Sequence, residues 1–333
     1  MSETTDKVRV SLGTAIVLGL IRSRLDACPT TAYLMTYVPS RCNANCAFCP
    51  QARESASDLD QLSRVVWPIY STVDVIEGLS KAVQEKKINR VCIQSLNFPN
   101  FYQTLASLVN EIRTSVKVPI SLSCQPIDVE QMITLKELGV ERIGIPLDAA
   151  TEKIFNKIKG KEVGPYSWNR TFELLTEAVK IFGKGKVSTH IIIGLGESEK
   201  DVAQLIQRLF DSNILPGLFS FTPIKGTALE HLAQPSITVY RRNQLIRHLI
   251  VIHKTRVEQM SFSPEGNLLE YGVTTEELNT IIDSGDPFRT SGCPFCNRPF
   301  YNESPRGPFY NYPYKLTKEH IATVKRELKL SGE

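Results

Sequence analysis

The sequence predicts an α/β fold. Six strand–helix units wind into an open or partial barrel, with a short extension before it and an irregular one after it. Three observations predict this. Runs that are apolar almost throughout alternate with longer stretches of helical periodicity, the pattern of a parallel sheet covered by helices. The chain has 333 residues, 42% apolar and 22% charged, enough to bury a large core and unlike a disordered chain, a collagen or a coiled-coil rod. After about residue 256 the alternation stops and Pro, Gly, Asn and aromatic residues crowd the sequence, a composition foreign to helices and central strands.

The first 30 residues form the N-terminal extension, 31–256 the barrel and 257–333 the C-terminal extension. Barrel strands are expected at 31–38, 90–95, 118–123, 142–147, 187–193 and 217–222, each a short run rich in β-branched or other apolar residues. Helices are expected at 73–85, 101–113, 129–138, 168–181, 199–211 and 238–253, where apolar residues recur at helical spacing. A strand-and-turn stretch at 257–271 leads to a small helix at 275–283, an irregular segment at 285–314 and a charged terminal helix at 317–330. Phe300, Tyr301, Phe309, Tyr310, Tyr312 and Tyr314 fall in the irregular segment. They read as a strap whose rings pack on the barrel, with a partner-binding segment as the alternative.

The net charge is +4, from 39 basic and 35 acidic residues, too balanced to point to nucleic acid. The apolar run 15–21 is far short of the roughly 20 residues that span a membrane. Residues 2–6 carry no basic leader region. The expectation is a cytoplasmic protein, in which eight cysteines are metal ligands or catalytic groups and not disulfides.

The strongest motif is Arg41-Cys42-Asn43-Ala44-Asn45-Cys46-Ala47-Phe48-Cys49-Pro50, a C-x3-C-x2-C spacing just after the first barrel strand. Three thiolates on one loop can hold three irons of a 4Fe-4S cube and leave the fourth open, as a catalytic centre requires. A structural zinc site wants four ligands, usually in paired C-x2-C units. This loop resembles that of the radical S-adenosylmethionine (SAM) superfamily. The resemblance implies a partial (β/α)6 TIM-type barrel, a cluster held by Cys42, Cys46 and Cys49 that chelates SAM, and a 5′-deoxyadenosyl radical that takes hydrogen from unactivated C–H bonds. It also implies roles for other positions. Phe48 would lie near adenine. Gly194, Gly196 and Glu197, in the run His190–Glu197, would form the adenine-side turn. Asp148 would meet a ribose hydroxyl, unless it caps a helix or turn. Arg170 would meet the SAM carboxylate, unless it is a surface arginine. The family's Gly-Gly-Glu after strand two is absent; Gln94 and Ser95 stand there and offer neutral acceptors for the SAM amino group.

Five cysteines remain. Cys293-Pro294-Phe295-Cys296 is a C-x2-C knuckle in the irregular segment. With Cys28 it would hold an auxiliary iron–sulfur cluster, also expected to be 4Fe-4S, with Ser291 and Ser304 as candidates for a fourth ligand; a structural zinc in the knuckle is the alternative. Cys92 and Cys124 fall on strands two and three, where biotin synthase places ligands of its sulfur-donating cluster, but the strand-five counterpart is Ser188. They read as small buried hydrophobes.

Four stretches, 29–37, 49–53, 143–150 and 291–299, resemble a branch labelled biotin synthase, and within it the archaeal two-protein lipoyl synthases. That resemblance implies sulfur insertion into an octanoyl chain on a lysine of a carrier protein, with the auxiliary cluster as sulfur donor. It implies three partners: the octanoylated carrier, a second radical SAM lipoyl synthase subunit and an electron donor. No nucleic acid or membrane is expected. The alternatives are biotin synthase acting on dethiobiotin, another radical SAM reaction with a zinc knuckle, and a metal-stabilised binding protein without turnover.

Overall fold

The structure, a computed structural model, describes residues 6–328. Most of the N-terminal stretch read for a leader, and the end of the terminal helix at 329–330, lie outside the described residues. The strands are β1 (Lys7–Val10), β2 (Thr31–Thr36), β3 (Gln61–Leu62), β4 (Val65–Val66), β5 (Ile69–Ser71), β6 (Arg90–Gln94), β7 (Ile120–Ser123), β8 (Val140–Gly144), β9 (Val187–Ile193), β10 (Ile214–Ser220), β11 (Ser261–Phe262) and β12 (Leu268–Glu270). The helices are α1 (Leu12–Val17), α2 (Thr72–Gln84), α3 (Phe101–Ser115), α4 (Val129–Glu137), α5 (Glu152–Ile158), α6 (Trp168–Phe182), α7 (Glu199–Asp211), α8 (Ile237–His248), α9 (Thr275–Ser284) and α10 (Lys318–Glu327).

Eight strands form one sheet in the order β10-β9-β8-β7-β6-β2-β1-β5. From β2 through β10 the six barrel strands pair in parallel, as the sequence predicts. Each is followed in the chain by a helix, and the helix stripes cover the outer face; on α7 the stripe is Val202, Leu205, Ile206 and Leu209, all buried. The architecture is therefore an open, partial TIM-type barrel.

The N-terminal extension is more ordered than its composition suggests. Its β1 adds antiparallel to β2 and pairs β5 on its other side. Val8 and Val10 are fully buried, while Arg9 faces the other way and bonds Asp60 at 2.5 Å. Four residues are too short a run to show alternation against background. Helices α1 and α5, of six and seven residues, escaped for the same reason. The helix expected at 238–253 is α8 followed by a π-helical turn, Leu249–His253.

The irregular segment closes the barrel's open side at the start of its strands. From the β10 edge, the Leu218 amide donates to Ser291 Oγ at 2.9 Å. Before β2, the Thr30 and Thr31 hydroxyls donate to the Phe295 carbonyl at 2.5 and 3.0 Å. At the start of β6, Arg90 Nε donates to the Pro294 carbonyl at 3.1 Å. Further on, the strap packs on α8: Arg241, fully buried, donates to the Tyr310 carbonyl at 2.8 Å and to Phe309. Among the described residues no helix is long and apolar enough to cross a membrane.

Candidate active site

The loop 37–50 leaves the end of β2 and is pinned by main-chain bonds on several sides. Ala47 N donates to Ile158 O at 2.7 Å, Asn43 N to Asn97 O at 2.7 Å and Leu229 N to Ala47 O at 3.2 Å. Arg41 ties the far side, donating to Pro50 O at 2.8 Å and Ser57 O at 2.5 Å. The loop thus presents Cys42, Cys46 and Cys49 to one internal cavity of about 530 Å³, lined by all three. The Asn97 amide donates to Cys42 Sγ at 3.2 Å. Burial pushes the Cys46 thiol up to about 12 and raises Cys42 and Cys49, with neighbouring thiolates adding to Cys46 and Cys49 and Lys159 opposing at Cys42 and Cys46. Three thiols crowded on an apolar wall ionise together only against a cation that displaces their protons.

Phe48, Gln94, Ser95 and Asp148 also line the cavity. Asp148 sits at φ 65 just beyond β8 and forms a buried ion pair with Lys159 at 2.7 Å. Lys159 also donates to Pro146 O at 2.5 Å and lies over the Tyr166 ring. Tyr166 accepts from Asn97 Nδ2 at 3.1 Å. Lys159 and Tyr166 escaped the sequence reading, because only the fold brings the end of α5 beside the cysteine loop. His190, tilted against Phe219 with ring centres 4.7 Å apart, is held neutral, its pKa lowered by burial to about 4.

Gly194, Gly196 and Glu197 form the turn after β9 and stand back from the cavity wall. Glu197 accepts from the Gly194 and Leu195 amides at 2.6 and 2.9 Å. Arg170 is half exposed on α6 and pairs with Glu173 at 3.2 Å and Asp128 at 3.9 Å. In this geometry it does not reach the cavity; helix periodicity turns it outward, away from the apolar stripe of α6. Of the strap aromatics, Phe300 and Tyr301 line the cavity. Tyr310 and Tyr312 pack on α8 and Arg241 instead.

A second set of thiols faces the same space from the other end. Cys92, Cys124, Cys293 and Cys296 all line the cavity. Cys28 is exposed, and its carbonyl accepts from Asn297 Nδ2 at 2.9 Å. Ser291 Oγ is engaged by Leu218 and lines the cavity, while Ser304 bonds Gly307 outside it. Among the described residues no three His, Cys, Asp or Glu side chains converge on a single-ion position. A polynuclear cluster takes one thiolate per metal atom and needs no such point. The donor set at Cys42, Cys46 and Cys49 fits it: all sulfur, on one pinned loop, beside a cavity with room for a second ligand.

A family model described as the Radical SAM superfamily matches residues 36–209, just over half the chain. The chain belongs to the radical SAM superfamily. It is 26% identical over 256 residues to a biotin synthase from Persephonella marina, covering 75% of this chain and 71% of that one. A biotin synthase from Sulfurihydrogenibium sp. is 26% identical over 249 residues, covering 73% and 70%. Among solved structures the fold matches methylornithine synthase at TM-score 0.50 and 16% identity, covering 65% of this chain and 62% of that one. It matches the FeFe-hydrogenase maturase HydG from Carboxydothermus hydrogenoformans at TM-score 0.51 and 14% identity, covering 68% and 53%. The chain thus spans less than two thirds of those structures. The superfamily implies a 4Fe-4S cluster and SAM, and the protein is a radical SAM enzyme. When bound, that pair supplies a radical able to take hydrogen from carbon. The chain's residues do the rest: the Asn97 amide donates to the Cys42 sulfur, Lys159 anchors Asp148 beside the loop, and Met35, Leu96 and Phe219 give the cavity apolar wall.

Proposed function

We propose that this enzyme inserts sulfur into an unactivated C–H bond of an octanoyl chain carried on a lysine of a carrier protein, as in lipoyl cofactor biosynthesis. The observation that carries the reading is that two separate thiol sets, one on the loop after β2 and one at the barrel floor, line a single largely apolar cavity. Saturated chain carbons have no acidic proton, so neutral His190 or any other acid–base group is powerless against them. Radical chemistry at one end and a sulfur source at the other meet that need, and an apolar wall suits an acyl tail. The partners of this reading are the octanoylated carrier, a second radical SAM subunit for the other carbon and an electron donor.

Biotin synthase acting on dethiobiotin is the second reading, favoured by the names of the relatives. Against it, strand five carries Ser188, and Cys124 has a raised pKa from burial alone, with no charged neighbour contributing. Reconstituted protein should be incubated anaerobically with SAM, a strong reductant and either octanoyl-lysyl peptide or dethiobiotin. Gain of one sulfur by the peptide alone supports the acyl reading. Conversion of dethiobiotin with unchanged peptide overturns it in favour of the second.

A further inference from the structure

We infer that a second iron–sulfur centre is held by Cys92, Cys293 and Cys296 at the barrel floor, with Cys28 outside it and the half-buried Arg298 and Arg247 as its counter-cations. The inference rests on the proposed sulfur-insertion reading and names the ligands that the reading needs.

Strand register supplies the first ligand. Tyr33 of β2 pairs Cys92 of β6, which pairs Ser121 of β7, and all three side chains line the cavity. The knuckle docks beneath this row, fixed by Thr30, Thr31 and Arg90 as described above. It turns on the Cys296 N to Cys293 O bond at 2.9 Å, and Gly292 packs so close that an added Cβ would stand 3.1 Å from Cys296 Sγ. Cys92 and Cys296 both pack against the buried cluster that contains Tyr33. Cys28 has no place on the cavity wall.

Two of the three sulfurs, those of Cys92 and Cys296, have side-chain donors, as metal-bound thiolates do. Gln94 Nε2 donates to Cys92 Sγ at 3.3 Å. Tyr33 Oη lies 3.5 Å from Cys296 Sγ and accepts from the Arg298 amide at 2.8 Å, so its own proton is free for the sulfur. Cys124 accepts no such bond among the described contacts.

Charge makes the third argument. Arg298 stacks on Phe219, 3.8 Å from the ring centre; its Nη2 donates to Ser291 O at 2.7 Å, and its Nε is buried without an acceptor. Arg247 donates from Nε to Pro216 O at 2.6 Å and feels Arg298 as a like charge. Neither guanidinium has an acid partner among the ion pairs of the described residues. Glu303, a carboxyl on which Arg298 acts, is held protonated near neutral pH by burial, its pKa pushed up to about 8. Two half-buried cations facing one apolar cavity without an anion are unfavourable. An iron–sulfur core on three thiolates is anionic and would sit among them.

The test uses the full chain with the first loop disabled. Cys42→Ala/Cys46→Ala/Cys49→Ala protein is reconstituted anaerobically, its iron and sulfide counted and its reduced form read by electron paramagnetic resonance. Added Cys92→Ser should remove most of the remaining iron and the signal; added Cys28→Ser should leave both. Iron kept by Cys92→Ser, or lost with Cys28→Ser, overturns the ligand set while leaving a second centre standing. No iron in the triple variant, or zinc in its place, overturns the sulfur-insertion reading as well. Two milder variants in the same background guard against a folding defect. Tyr33→Phe should alter the resonance with iron unchanged, and Arg298→Gln should lower the reduction potential. An unmoved spectrum and potential would overturn the hydrogen-bond and counter-cation assignments.

Discussion

Asp148 shows what a residue's neighbours decide. Its ion pair with Lys159 is nearly sealed from water, with side chains 9% and 4% exposed. Asp148→Asn leaves a buried ammonium uncompensated and should cost about 3–5 kcal/mol in chemical denaturation, while Asp148→Asn/Lys159→Met recovers much of that loss. A single-variant cost under about 1 kcal/mol would mean that the pair is hydrated. Glu303 carries a pH signature. Burial raises its carboxyl from 4.5 to about 8, and its Oε2 is buried without a partner. The native state therefore keeps a proton that the unfolded chain releases first, so stability falls as pH rises from about 4.5 to about 8. Relative to Glu303→Gln, the natural protein should lose about 1–3 kcal/mol of unfolding free energy between pH 6 and pH 8.5, on a scale of about 1.4 kcal/mol per unit. Parallel pH profiles would disprove the protonated carboxyl. Cys42, Cys46 and Cys49 were legible because their chemistry is local spacing. Lys159, Tyr33 and Arg298 were not, because they become neighbours of sulfur only through strand register and strap docking.

Elements were legible where periodicity ran long. All six parallel strands fall within a few residues of their expected places, because each is buried on both faces. Short elements were missed: β1, α1 and α5 are too brief to raise a pattern. The turn after β9 offers a clean contrast between two glycines at similar angles. Gly194 has φ 109, and a Cβ there would stand 2.7 Å from the Pro235 ring; Gly196 has φ 107 with nothing within 4 Å. Gly194→Ala should therefore cost about 2–4 kcal/mol and Gly196→Ala about 1–2 kcal/mol, both in thermal or urea unfolding. Equal costs would show that the proline ring yields.

At the scale of the whole molecule, the chain's two ends complete the barrel. The N-terminal strand extends the sheet beyond β2, and the strap bridges β10 to the starts of β2 and β6. Arg241 joins the last pieces: it is fully buried and reaches Glu327 of α10 at 2.9 Å, Gln244 at 2.8 Å and the strap carbonyls. Arg241→Ala should cost about 3–5 kcal/mol, with faster proteolysis within 300–316 as the strap loosens. An unchanged cleavage rate there would place the strap's anchorage elsewhere. Pro and Gly in this segment announced irregularity, but nothing in composition said that it would carry Cys293 and Cys296 under the barrel.

Sulfur insertion of the proposed kind brings carbon radical chemistry and a protein-held sulfur together in one cavity. The most direct measurement is to reconstitute the protein with heavy-isotope sulfide, remove free sulfide and run one turnover with SAM, reductant and octanoyl-lysyl peptide. The product should carry the heavy sulfur, and it should be lost in Cys92→Ser. Product with natural-abundance sulfur, or heavy product undiminished in Cys92→Ser, would contradict this.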